Sequence, residues 1–182
     1  MSGHGTADNI LIRDVGDADM PAIQAIYGHH VVHGLASWEE TPPDIAEMTR
    51  RRDTIVEGGF PYRIAERAGN LVGYTYAGKY RPRPAYRNTV ENSVYVADGA
   101  RGGGIGALLL ADIVEQCTRR GFRRMVAIIG DSANAASIKL HERAGFEMVG
   151  VIPACGYKAG QWLDQVIMHK TLGPGTTEAP SL

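Results

Sequence analysis

The sequence predicts a mixed α/β domain whose sheet starts antiparallel and gains one parallel pair near its middle. Three observations lead there. The periodic segments follow the order βααββ(β)αβαβ(β), which is not an even βα alternation. A strand from Thr89 to Val96 ends in the turn signal Asp98-Gly99, passes through a glycine-rich loop and opens an apolar-periodic helix. The chain has 182 residues, 44% of them hydrophobic and 21% charged, which suits one domain with a substantial core.

Each element has its own local signal. Ile10 to Arg13 is the first strand, so residues 1–9 are expected to form a flexible N-terminus and the domain to span 10–172. Asp17 or Asp19 can cap a helix through Met20, Ile23, Ile26 and Tyr27 to His33, with Pro21 in its first turn, and Gly34 stops it. Leu35 to Pro43 is a loop or short strand holding Trp38 and the pair Pro42-Pro43. Asp44 caps a charged second helix with Ile45, Met48, Ile55 and Val56 as its apolar stripe and Gly58-Gly59 as its end. Tyr62 to Glu66 and Leu71 to Ala77 form a hairpin across Ala68-Gly69-Asn70. Leu108 to Cys117 is the helix after the glycine loop, and Met125 to Gly130 is the next strand. Asn134 caps a helix that runs to Ala144 and closes at Gly145, and strands Phe146 to Ile152 and Trp162 to His169 complete the domain. The tail, 173–182, has no core-forming pattern and is expected to be disordered.

Composition removes several functions. A net charge of −1 gives no general attraction to nucleic acid or anionic lipid, and no apolar run approaches the length of a membrane span. The opening residues lack the charged and apolar regions of a secretory signal. Cys117 and Cys155 have no metal-ligand spacing, and both read as buried free thiols in a reducing, cytoplasmic setting. His29 and His33 lie one helical turn apart, but with His30 they offer no third ligand at a recognisable spacing, so no metal is expected.

The loop Arg101-Gly102-Gly103-Gly104-Ile105-Gly106-Ala107 carries the clearest chemistry. A glycine loop opening a helix aims backbone N–H groups at one point, and the helix dipole adds positive potential there. That point suits a pyrophosphate, and glycine keeps a β-carbon out of the ligand's way. Gly102-x-Gly104-x-x-Ala107 fits the dinucleotide fingerprint, with Asp131 near the end of the next strand as the acidic partner. That reading needs a repeated βαβ series, whereas one helix and two strands follow Asp131.

As Arg101-x-x-Gly104-x-Gly106, the same loop resembles the coenzyme signature of the GNAT superfamily of acyl-CoA N-acyltransferases. Longer segments resemble one family within it, the phosphinothricin and methionine sulfoximine (methionine sulfone) N-acetyltransferases. They are Ser37-Trp38-Glu39-Glu40-Thr41-Pro42, the stretch Arg81 to Tyr95, Asn134-Ala135-Ala136-Ser137-Ile138 with Leu140-His141, and Gly145-Phe146. Gly156-Tyr157-Lys158 with Gly160, Trp162, Leu163 and Asp164 completes the set, and the resemblance covers nearly the whole chain from Ile10 to Leu172.

The resemblance implies a GNAT fold, a mixed and mostly antiparallel sheet flanked by helices in a single domain. It implies acetyl-CoA as co-substrate without a metal, a small amino-acid analogue acetylated on its α-amine, and a homodimer. Val94, Tyr95 and Val96 would pair with the pantetheine arm, and the loop from Arg101 through Ala107 would hold the pyrophosphate. Asn134 and Ser137 would face the pantetheine. Glu91 matches the family's catalytic glutamate, and the chemistry agrees: an ammonium has no lone pair, so a carboxylate near the thioester must take its proton, directly or through one water. His141 stands where many GNAT proteins carry a tyrosine that protonates the leaving thiolate, which makes it the candidate general acid, with Tyr95 second. Arg81, with Arg87, would pair with the substrate carboxylate, a task suited to a planar guanidinium. Trp38 and Tyr86, with Tyr27, would wall the side-chain pocket. Ala159 and Gln161 stand where the family carries a bulky aromatic and a cation, which bears on the pocket or a subunit interface. Two other readings stay open, acetylation of a peptide or protein N-terminus and a CoA-sensing module without turnover.

Overall fold

A computed structural model describes residues 10–180, so the expected flexible N-terminus, residues 1–9, and the last two residues of the tail lie outside the described residues. The elements are β1 (Ile10–Asp14), α1 (Met20–His33), α2 (Ile45–Glu57), β2 (Tyr62–Arg67), β3 (Asn70–Lys79), β4 (Thr89–Val96), α3 (Ile105–Arg119), β5 (Arg124–Gly130), α4 (Ala135–Arg143), β6 (Glu147–Lys158) and β7 (Gln161–Thr171). The strands form one seven-stranded sheet in the order β1-β2-β3-β4-β5-β7-β6. Neighbours are antiparallel except β4 and β5, because the crossover through α3 returns the chain in the same direction.

Side-chain alternation distributes the helices over two faces. On β4, Val90 joins Leu110, Ile113 and Cys117 of α3 in one core, with Ile138 and Leu140 of α4 against it. Tyr95 packs on the other face with Tyr27 of α1, Met48 of α2 and Tyr74. Helix α3 buries Ile105, Leu109, Ile113 and Cys117, four residues apart, so its inward stripe starts before the expected Leu108, which is exposed. Gly73 lets α3 approach β3: a Cβ there would lie 2.8 Å from Tyr95 O and 3.0 Å from Leu109 Cδ1.

Caps and turns follow their residues. Asp44 Oδ1 accepts from the Glu47 N–H at 2.8 Å and Asn134 Oδ1 from the Ser137 N–H at 3.2 Å. Ala68 and Gly69 are both left-handed, the backbone a two-residue hairpin requires, and Ala159 with Gly160 repeats the device between β6 and β7.

Other expectations change. On α2, Met48 is buried but Ile45 and Val56 are exposed, and Arg52 takes the inner face with its guanidinium on Asp17. β6 continues past Ile152 because a bulge carries residues 153–155 and pairing resumes at Gly156↔Leu163. Cys155 lies on that bulge and is exposed, unlike Cys117, whose burial pushes its thiol up to about 12. Beyond Leu172 the described tail forms turns, with the Gly175 N–H donating to Leu172 O and the Thr177 N–H to Pro174 O. No helix among the described residues is long and apolar enough to cross a membrane.

Candidate active site

The parallel pair is short. β4 and β5 match from Thr89↔Arg124 to Asn92↔Ala127, after which β4 runs on to Val96 and β5 to Gly130 without pairing each other. Two strands that part this way leave backbone donors and acceptors facing a wedge, where an extended ligand arm can pair as an added strand.

The glycine loop stands beside that wedge. Gly102 and Gly104 are left-handed, and a Cβ at either would meet nothing within 4 Å, so within the fold it is backbone conformation that calls for glycine. At Gly106 a Cβ would touch Leu140 Cδ2 at 3.4 Å, so this glycine serves the α3–α4 contact. The loop's first helical bonds run from the Ala107 and Leu108 N–H groups to Gly104 O, which places the Ile105 and Gly106 N–H groups ahead of the ladder.

A cavity of about 940 Å³ joins the loop to the wedge. Val94, Tyr95, Val96, Arg101, Gly102, Gly104, Ile105, Gly106, Ala107, Asn134 and Ser137 line it, and of the coenzyme residues expected from the sequence Gly103 is off its wall. Arg101 sits 3.2 Å from Asp98 and is half-exposed. A smaller cavity of about 90 Å³ continues between the strands, bordered by Asn92, Ser93 and His141.

His141 is buried, with Nδ1 2.9 Å from Ser137 O and Nε2 3.1 Å from Asn92 Nδ2. A carbonyl only accepts, so the ring proton lies on Nδ1, and burial holds the ring's pKa below its ordinary value. Nε2 of this neutral ring is an acceptor with no proton to give.

Glu91 lies on the α1–α2 face of β4 and lines neither cavity. It is half-buried opposite Gly78 of β3, where a Cβ would meet nothing within 4 Å, so there is room beside the carboxylate. Burial raises its pKa above the ordinary glutamate value, and the positive charge of Arg81 works against that rise. Arg81 stacks over Tyr80 at 4.6 Å, and Tyr80 meets Tyr86 edge-on at 5.8 Å. Glu91, Arg81 and Tyr86 therefore form one group. Arg87 is turned to Pro84 O at 3.3 Å, and Trp38 lies against Gly156, where a Cβ would fall 2.1 Å from Trp38 Cζ3. Tyr27 is a core residue whose hydroxyl meets Ser37 Oγ at 3.2 Å and donates to Glu39 Oε1 at 3.1 Å.

Three contacts around the site carry no local signal in the sequence. Lys158 is buried on β6 and its Nζ donates to Gly34 O at 2.9 Å and Ser37 O at 2.7 Å, with burial lowering its pKa. His30 holds Val96 O through Nε2 at 2.9 Å, at the end of β4. Asp164 receives the Ser132 hydroxyl on one oxygen and the Ala154 N–H on the other, which ties the β5–α4 turn to the β6 bulge.

Comparison with known proteins agrees with this architecture. Residues 12–167 match a family model described as an acetyltransferase (GNAT) domain. A phosphinothricin N-acetyltransferase of Alcaligenes faecalis is 48% identical over 93% of this chain and 86% of its own length. An L-methionine sulfoximine/L-methionine sulfone acetyltransferase of Pseudomonas aeruginosa is 46% identical over 93% of this chain and 98% of its own. Among solved structures, a GNAT superfamily phosphinothricin acetyltransferase from Sinorhizobium meliloti, crystallised with acetyl-CoA, superposes with a TM-score of 0.92 at 45% identity, covering 94% of this chain and 93% of that one. With the family model spanning residues 12–167 and the fold superposing over nearly the whole chain, the chain belongs to the GNAT acetyltransferases.

Proposed function

We propose that this enzyme transfers acetyl from acetyl-CoA to the α-amine of phosphinothricin, methionine sulfoximine or methionine sulfone by direct attack, with Glu91 as general base. The observation that carries this reading is the half-buried Glu91 carboxylate on β4, raised in pKa and faced by the Arg81 charge, across the strand from a cavity of about 940 Å³ that reaches the glycine loop. A carboxylate with a raised pKa holds a proton more readily, which is what a base accepting one from an ammonium requires. Arg81, on the same face, is the partner for the amino acid's carboxylate. Backbone N–H groups of the glycine loop and the α3 terminus hold the pyrophosphate, with Arg101 beside them. Val94, Tyr95 and Val96 pair with the pantetheine arm in the wedge, and a main-chain N–H there receives the thioester oxygen as it gains charge. His141 enters the proposal as the anchor of Asn92 and not as the acid, because its Nε2 bears no proton. The names and ligands of the related proteins support this substrate class and donor.

The test is release of free CoA by purified protein given acetyl-CoA and a panel of amino acids, the three analogues and short peptides. Turnover is expected on the analogues and to fall at least about a hundredfold in Glu91→Gln, the scale of a lost general base. Arg81→Ala is expected to raise KM for the amino acid far more than for acetyl-CoA. Turnover confined to peptides would replace the substrate class, and near-normal turnover in Glu91→Gln would remove Glu91 from the mechanism.

A further inference from the structure

Asn92 follows Glu91 on β4 and points to the opposite face, into the site's interior. It is 5% exposed. Its Nδ2 lies 3.1 Å from His141 Nε2, and the neutral ring, with its proton committed to Ser137 O, accepts there. That arrangement turns the amide so that Oδ1 is its free end, and Oδ1 is buried without a hydrogen-bond partner. An unpaired buried acceptor is destabilising, and folds retain one where a ligand or water supplies the donor. Asn92 and His141 both border the 90 Å³ cavity, which shares Val94, Tyr95, Asn134 and Ser137 with the larger one. The residue with the orphan oxygen therefore stands at the inner cavity, where an arm entering from the larger one would end.

Building on the acetyl-CoA reading above, we propose that Asn92 binds the thioester end of the coenzyme: its Oδ1 accepts the N–H of the amide nearest the sulfur. His141 is the positioning residue that decides which end of the Asn92 amide faces the cavity. The chemistry selects this donor, because the sulfur and acetyl group of a thioester carry no N–H or O–H and the adjoining amide does.

The experiment is calorimetric titration of wild type, Asn92→Leu and Asn92→Asp with acetyl-CoA and with 3′-phosphoadenosine 5′-diphosphate, which has the pyrophosphate but no pantetheine arm. In Asn92→Leu, acetyl-CoA binding is expected to weaken about five- to tenfold, the worth of one neutral hydrogen bond, with the nucleotide within about twofold of wild type. Asn92→Asp keeps an oxygen on the cavity, with His141 protonated to hold the other, and is expected to bind acetyl-CoA within about threefold of wild type. Unchanged acetyl-CoA binding in Asn92→Leu would overturn the proposal, leaving a water as the partner of Oδ1, as would equal loss of both ligands. Nitrogen NMR that places the His141 proton on Nε2 would overturn the orientation. Wild type that binds neither ligand would overturn the acetyl-CoA reading, and the Asn92 role with it.

Discussion

Glu91 meets two opposed demands, since the role proposed for it needs a site near the thioester and a buried carboxylate is unfavourable. Burial raises its pKa, and Arg81 only partly offsets this. A folded-state pKa above the unfolded value of about 4.3 means that this group's contribution to stability is present below that pH and is lost as pH rises through the folded value. Glu91→Gln is therefore expected to melt at a higher temperature than wild type at pH 8, with the gap closing by about pH 4, as followed by circular dichroism. A variant that melts lower at pH 8 would mean that the ionised carboxylate has a stabilising partner. At this scale the sequence was informative where the cause is local: Asn134 caps α4 as its residue type predicts. It was silent on Asn92, whose amide meets an imidazole 49 residues away, and on the Ser137 carbonyl that draws the His141 ring proton to Nδ1.

Among the elements, helix caps and two-residue turns were legible because their causes lie within four or five residues. The inner face of α2 was not. Arg52 occupies it because Asp17, brought in from before α1, supplies a carboxylate that no local pattern announces. β6 shows the opposite failure. Met148, Val149, Val151 and Ile152 place apolar side chains on both faces of this edge strand, as if it were covered on both, yet all four are exposed, as are Tyr157 and Trp162. We propose that a second copy of the chain covers this surface, consistent with the homodimer the family resemblance implies. Sedimentation is expected to give twice the 19.6 kDa chain mass, and Val149→Lys with Val151→Lys to give the single-chain mass. A wild type that sediments as one chain at micromolar concentration would sink the idea.

At the scale of the molecule, the loop between α1 and α2 roofs the end of the wedge. A Cβ at Gly130, the last residue of β5, would lie 2.9 Å from Leu35 O, so loop and strand touch backbone to backbone. Lys158 secures the loop from β6 through two carbonyls, and Trp38 packs against Gly156 two residues away. Lys158→Met would leave both carbonyls without their donor, and is expected to cost about 1–3 kcal/mol in urea unfolding and to speed amide exchange across 34–39. Unchanged exchange there would show that Trp38 and Gly156 hold the loop unaided. By itself the sequence determined the element order, the parallel crossover and the glycine loop that opens α3, because each rests on periodicity, capping or backbone conformation within a few residues. Only the tertiary structure decided how far β4 and β5 part, which face Glu91 takes relative to the cavity beside the glycine loop, and that a lysine of the C-terminal hairpin closes a loop more than a hundred residues earlier. Those outcomes depend on burial and on which polar groups meet across the fold, and contacts of that kind leave no trace in the order of neighbouring residues.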